Sequence, residues 1–202
     1  MDYPSFFDQA PTITLRDPLS DFLGSFTNGE VEYRYLDAVK LAGHSCPTVA
    51  GAWLMTVKAL GALYGNETPE RGAIRVSFPD SLDSGVTGVM AQVTTLITGA
   101  AGEGGFKGIG PRFDRSGLLS FGTGGAAEIT FERADTGAKA EAIFVASVVP
   151  MPDEARMLLG QIITGQAGEQ EAARFRHLWQ DRVRQLLVDH VDDPALVQMR
   201  VS

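Results

Sequence analysis

Ala127-Glu-Ile-Thr-Phe-Glu132 and Lys139-Ala-Glu-Ala-Ile-Phe144 each alternate apolar with polar residues, and Ala134-Asp-Thr-Gly137 stands between them. A period of two is the mark of a half-buried strand, and Asp and Gly at the joint are turn formers, so the pair predicts an antiparallel hairpin. Ala73-Ile-Arg-Val-Ser-Phe78 alternates in the same way, and Leu118-Leu-Ser-Phe121 predicts one more short strand. Between and before these strands the period changes. Val49, Trp53, Val57, Leu60 and Tyr64 recur at spacings of three and four, which predicts a core-facing helix over Pro47–Tyr64. Val86, Val89, Met90, Val93, Leu96 and Ile97 predict a second buried helix within Gly85–Thr98, with a strand as the alternative because of its β-branched content. Strands and helices in separate runs point to the α+β class, an antiparallel sheet with helices packed on one face, plus carboxyl-terminal helices.

Those last helices are expected over Asp153–Thr164, with Gly165 after its end, and over Glu169–His190. In the second, Phe175, Leu178, Trp179, Arg182, Leu186 and Leu187 share a face that would dock on the domain or on a partner. Residues 1–20 carry Pro4, Pro11 and Pro18 and no sustained period, so they read as an extended arm pinned by Phe6, Phe7, Ile13 and Leu15 to the surface or to a second subunit. Ser20–Gly24 reads as one helical turn and Val31–Leu41 as a short helix. The expected organisation is therefore an arm and helical turn over 1–30, an α+β domain over 31–150 and a helical extension over 151–202.

With 202 residues, 44% of them hydrophobic, the chain can bury one sizeable core. A net charge of −8 argues against nucleic acid, which needs a clustered basic surface. One cysteine excludes an intrachain disulfide and suits a reducing cytoplasm. No export signal opens the sequence, and no apolar run is long enough to read as a membrane span. The expected location is cytoplasmic.

That single cysteine lies in Leu41-Ala-Gly-His-Ser-Cys-Pro-Thr-Val-Ala-Gly51, together with one of three histidines. Proline suits the first position of a helix and excludes the preceding residue from it, so Cys46 is expected as the N-cap. A thiol there faces unpaired backbone N–H groups and the positive end of the helix dipole, which favour the thiolate, the form that binds metal or attacks electrophiles. His44, in a Gly-preceded turn, can aim at the same point. Neutral imidazole with thiolate suits zinc, and also iron, nickel or copper. Soft ligands are scarce, and only one of His177 and His190 could join the pair, so the site is expected to be open, completed by water, a carboxylate, substrate or a second subunit. A buried thiol beside a histidine bonded to a carbonyl is the bland alternative. Cys46 as a nucleophile, or as a haem ligand in its Cys-Pro setting, stays open as well.

Gly43-His-Ser-Cys-Pro47, with Gly51 and the Ala/Leu-rich helix ending in Leu63-Tyr64-Gly65, resembles the signature of the FmdE family, named for a component of formylmethanofuran dehydrogenase. The resemblance extends through Leu96-Ile-Thr-Gly99 to the strands around Gly125 to Val145, roughly residues 33 to 150. It implies that His44 and Cys46 are metal ligands, that the protein forms a homodimer, and that its role is accessory or cofactor-handling beside a molybdenum- or tungsten-dependent metalloenzyme. Thr48 stands where glycine is common in the family, and Ala100-Ala101 where members often carry another cysteine.

Gly99–Gly110 contains six glycines and reads as a loop, either a lid over a small-molecule ligand or a mobile surface segment. Its usable side chains are Phe106 and Lys107, followed by Arg112 and Asp114. It lacks the Gly-Lys-Ser/Thr ending of a P-loop. Gly122-Thr-Gly-Gly-Ala-Ala127 precedes a strand, which excludes a dinucleotide fingerprint.

Overall fold

The computed structural model describes residues 2–202, so Met1 of the expected arm lies outside the described residues. The arm does not lie loose on the surface. A 3-10 turn over Ser5–Gln9 buries Phe6 and Phe7, and strand β1 (Ile13–Arg16) then pairs antiparallel with β2 (Glu30–Tyr33). Between them α1 (Pro18–Leu23) is capped by Asp17, whose carboxylate accepts from the backbone of Leu19 and Ser20, and is closed by Gly24 in the left-handed conformation. α2 (Tyr35–Ala42) follows, one strand later than the helix expected from Val31.

α3 (Pro47–Tyr64) begins and ends where the sequence places it, from N-cap Cys46 to Gly65. Twelve of its eighteen residues are buried, so it is covered on nearly every side rather than along one stripe. β3 (Ile74–Ser77) leads to α4 (Thr87–Thr98), which packs against both α2 and α3. The glycine-rich segment expected as a loop instead contributes the first strand of a small hairpin, β4 (Lys107–Ile109) with β5 (Arg112–Asp114). Its two-residue turn is Gly110-Pro111. Gly110 has φ +58°, the positive value that the first turn position needs to match the twist of the strands.

β6 (Leu119–Ser120), β7 (Ile129–Arg133), β8 (Lys139–Phe144) and, after helices α5 (Asp153–Ile163) and α6 (Glu169–Arg184), β9 (Val197–Val201) complete the chain. The main sheet runs β6-β3-β7-β8-β9. The fold is α+β with an open sheet, and α3 packs on β7, β8 and β9. Two features of this sheet differ from the sequence reading. β6 runs parallel to β3, because α4 and the small hairpin form a crossover long enough to bring the chain back in the same direction. The carboxyl-terminal segment also ends in a strand, since Val197 and Met199 extend the sheet beyond β8. α6 continues past Arg184 as a π-helical turn, Gln185–Asp189, that buries Leu186 and Leu187. Among the described residues, no helix is long and apolar enough to cross a membrane.

One face of the sheet is dry: Ile74, Val76, Ile129, Phe131, Ala140, Ala142 and Val197 point into the core. The other carries charge pairs such as Arg75–Glu132 and Arg200–Glu141, which is the wet face of an antiparallel sheet with helices on one side. Gly51 sets the distance between α3 and β8. A Cβ built there would lie 2.4 Å from the Phe144 ring, so only glycine lets that ring lie against the helix.

The amino-terminal region is tied to the rest by a buried ion network. Asp17, 6% exposed, bonds Arg71 at 3.1 Å and Arg115 at 2.5 Å, and Arg71 also donates to the carbonyl of Leu96. Burial alone would raise the Asp17 carboxyl, but the Ser20 N–H and the two guanidinium groups outweigh it and hold the group below its usual range. Replacing Asp17 with Ala strands two nearly buried arginines and removes a helix cap. The expected loss is on the order of 3–5 kcal/mol in denaturant unfolding. Because the folded carboxyl is depressed, its contribution is fully present above the unfolded value of about 3.9 and is lost as pH falls through the folded value. Acid unfolding of D17A relative to the parent should therefore show a stability difference that shrinks below about pH 4.

Candidate functional site

α2 ends at Ala42, and Gly43 takes a left-handed conformation with φ +75° while its N–H closes on the Val39 carbonyl. This reverses the chain before α3. The next three residues alternate in exposure: His44 is exposed, Ser45 is buried and Cys46 is half-buried. Ser45 fastens the turn. Its hydroxyl lies 2.9 Å from the Tyr35 hydroxyl, and its carbonyl accepts from Trp179 Nε1 at 3.0 Å and from Gln180 Nε2 at 3.2 Å. Burial pushes the Tyr35 hydroxyl well above its ordinary range, against the effect of the Ser45 hydrogen bond, so Tyr35 stays a neutral phenol. Trp179 and Gln180 come from α6. The sequence gives no sign that either belongs to the turn, because only the docking of that helix brings them to it.

The ring of His44 is oriented by a local bond. Its Nδ1 lies 2.9 Å from the Ala42 carbonyl, an atom that can only accept, so Nδ1 carries a proton, and in the neutral ring the lone pair then belongs to Nε2. Cys46 is a free thiol at the N-cap of α3, and it makes no capping bond to the helix N–H groups. Two exposed or half-exposed soft donors thus flank one buried serine. Among the described residues, however, no group of three or more His, Cys, Asp or Glu side chains is placed to hold a metal ion. His177 is exposed on α6, and His190 lies 3.6 Å from Asp193, so neither histidine adds to the pair.

The remaining side chains singled out from the sequence lie elsewhere. Phe106 is exposed, and Lys107 is bonded to the Glu103 carbonyl just before its own hairpin. Arg112 stacks over the Phe113 ring at 4.5 Å, and Asp114 accepts from the backbone and hydroxyl of Ser116. Arg112 and Asp114 line a cavity of about 280 Å³ with Glu70, Arg71 and Arg115, and neither His44 nor Cys46 lines it. An apolar cleft of about 680 Å³ between Leu41, α4 and Phe121 likewise has neither residue in its wall. Arg71 and Asp17 escaped the sequence reading, although Asp17-Pro18 is a recognisable helix start.

No protein-family model matches this chain, and no curated protein matches it significantly. If Ser45 holds the turn through Trp179, then Trp179→Phe, which keeps an aromatic ring but removes the N–H, should cost about 0.5–1.5 kcal/mol in denaturant unfolding. Alkylation of Cys46 by iodoacetamide should also become faster, because a loosened turn exposes the thiol.

Proposed function

We propose that this chain is a metal-binding accessory protein, similar in role to the FmdE component of formylmethanofuran dehydrogenase, that takes a transition-metal ion, zinc foremost, at His44 and Cys46. The observation that carries this reading is the Nδ1–H bond from His44 to the Ala42 carbonyl. Metal-binding histidines direct their second nitrogen to such an acceptor, which fixes the tautomer and leaves Nε2 as the ligand. The Cys46 thiol at the start of α3 supports it, because the unpaired N–H groups of the first helical turn favour the thiolate form.

A metal bound there would act as a Lewis acid or be handed on. The two side chains would hold it, and its other positions would be taken by water, a second copy of the chain or a group from a metalloenzyme partner. Two protein ligands leave most of the coordination sphere open to exchange, which favours a binding and delivery role over metal-assisted hydrolysis, whose sites hold the ion with three. Such a protein would work in the cytoplasm, where the thiol stays reduced.

We also propose a homodimer. The arm buries Phe6, Phe7, Ile13 and Leu15 within the chain, whereas Phe175, Leu178 and Trp179 of α6 are only half-buried. Phe22, Leu23, Phe26, Leu82 and Ile163 are each more than half exposed. The accessible surface is 10339 Å², above the roughly 9,200 Å² typical of a compact monomer of 21.6 kDa.

Elemental analysis of protein purified without a histidine tag should show bound zinc or another transition ion. Cys46→Ser and His44→Ala should each lose most of it on dialysis against a mild chelator, with unchanged circular dichroism and melting temperature. Stoichiometric metal in both variants would overturn the assignment. Light scattering at micromolar concentration should give twice the 21.6 kDa chain mass.

A further inference from the structure

The cavity lined by Arg71, Arg112, Arg115, Glu70, Phe113 and Asp114 has a volume of about 280 Å³. It lies between the start of α1, the segment before β3, and β5. Three guanidinium groups in so small a space need acceptors, and the protein supplies them unevenly. Asp17 engages one nitrogen of Arg71 and one of Arg115. Arg71 gives another nitrogen to the Leu96 carbonyl, and its buried Nε has no partner.

Arg115 is 12% exposed, and its Nε and second terminal nitrogen are not bonded to any acceptor among the described residues. It lies across two glycines: a Cβ at Gly72 would come 3.3 Å from Nε, and one at Gly99 would come 3.1 Å from the free terminal nitrogen. Both glycines have positive φ, +91° and +71°. The Arg112 side chain has no ion pair or hydrogen bond among the described residues. Its guanidinium is held by stacking, 4.5 Å from the Phe113 ring centroid and 5.8 Å from that of Phe22. Stacking orients a guanidinium plane while leaving all its N–H groups free for an in-plane acceptor.

Phe113 holds this orientation at a φ of +66°, an unfavourable conformation for a bulky side chain. The wall also carries acceptors. Asp114 is turned onto Ser116, whereas Glu70 forms no ion pair among the described residues. The formal balance of the three arginines against Asp17, Glu70 and Asp114 is neutral, so the case rests on free, oriented donors and not on net charge.

We propose that this cavity binds the oxyanion group of a small metabolite, a phosphoryl or carboxylate group, with Arg112 and Arg115 as its donors. Guanidinium forks match both groups, and the volume admits a group of that size with a short substituent. The proposal is independent of metal at His44 and Cys46. If the network is only a brace between the amino-terminal region and the sheet, no anion will bind.

The test is calorimetric titration of the full-length protein with inorganic phosphate and, separately, with acetate, at ionic strength held constant with chloride. Saturable binding of one ion per chain is expected for at least one of the two. Phosphate alone would identify a phosphoryl site, acetate alone a carboxylate site, and both the shared chemistry. Arg112→Ala should weaken binding at least about tenfold. Its melting temperature without anion should stay close to the parent value, since the side chain is exposed and stacks only on the surface rings of Phe22 and Phe113. Failure of both ions to saturate by about 10 mM, or equal affinity in Arg112→Ala, would overturn the proposal.

Discussion

Burial of α3 is the constraint from which the rest of the structure follows. A helix that is apolar or small-chained on every side is stable only when every side is covered. The sheet covers one side, at a distance set by the contact of Gly51 with the Phe144 ring. α4, α2 and the π-helical turn after α6 cover others, and the amino-terminal turn packs beside them against Tyr35 of α2. Phe7, Tyr35 and Trp53 form a continuous chain of edge-to-face rings with centroids 5.2 and 6.2 Å apart, and the Trp53 N–H reaches the Pro11 carbonyl. The arm is thus recruited into the core, because leaving that side of α3 wet would expose several large side chains at about 25 cal/mol per Å².

Apolar burial has no direction, and polar fixtures supply it. The Asp17 network joins the amino-terminal hairpin to the segment before β3 and to the residue after β5. A buried ion pair contributes little net stability over well-packed apolar residues, but losing one member leaves a charge without compensation, so it selects one arrangement. The Ser45 carbonyl does the same for α6, since two α6 side chains donate to it. At the opposite end of α3, Arg133 lies 4.1 Å over the Tyr64 ring, bonds the Leu63 carbonyl and pairs with Glu67 and Asp135. That pairing holds the Asp135 carboxyl down to about 2. Helix α3 is therefore anchored at both ends by groups far from it in sequence.

This anchoring bears on function. If His44 and Cys46 hold a metal as proposed, a backbone that cannot drift would serve them, and Ser45 fixes the turn from inside while His44 stays exposed and Cys46 half-buried. The same division recurs around Asp17. Its carboxylate holds one nitrogen on each of two arginines, and both arginines, with Arg112, line a cavity. In both places, a buried group fixes the frame and the more exposed side chains are left with unused bonding capacity.

Much of the frame was legible in the sequence because it follows local rules. Cys46-Pro47 marks the start of α3 and Gly65 its end, since the ring of proline and the positive φ open to glycine act within one or two residues. The alternation of residues 127–144 and the Asp-Thr-Gly turn dictate the β7–β8 hairpin, and Gly43-His-Ser-Cys-Pro47 locates an exposed imidazole beside a thiol. Tertiary structure alone decided the rest. Val197-Gln-Met-Arg-Val201 alternates as β3 does, but it becomes a strand only because β8 offers it a free edge. β6 takes its parallel direction from the length of the connection that precedes it. The contacts of Asp17 with Arg71 and Arg115 span 54 and 98 residues, and that of Trp179 with Ser45 spans 134. No period or spacing encodes such meetings, because they arise only when separate elements bury their apolar faces on the same core and carry their polar groups with them.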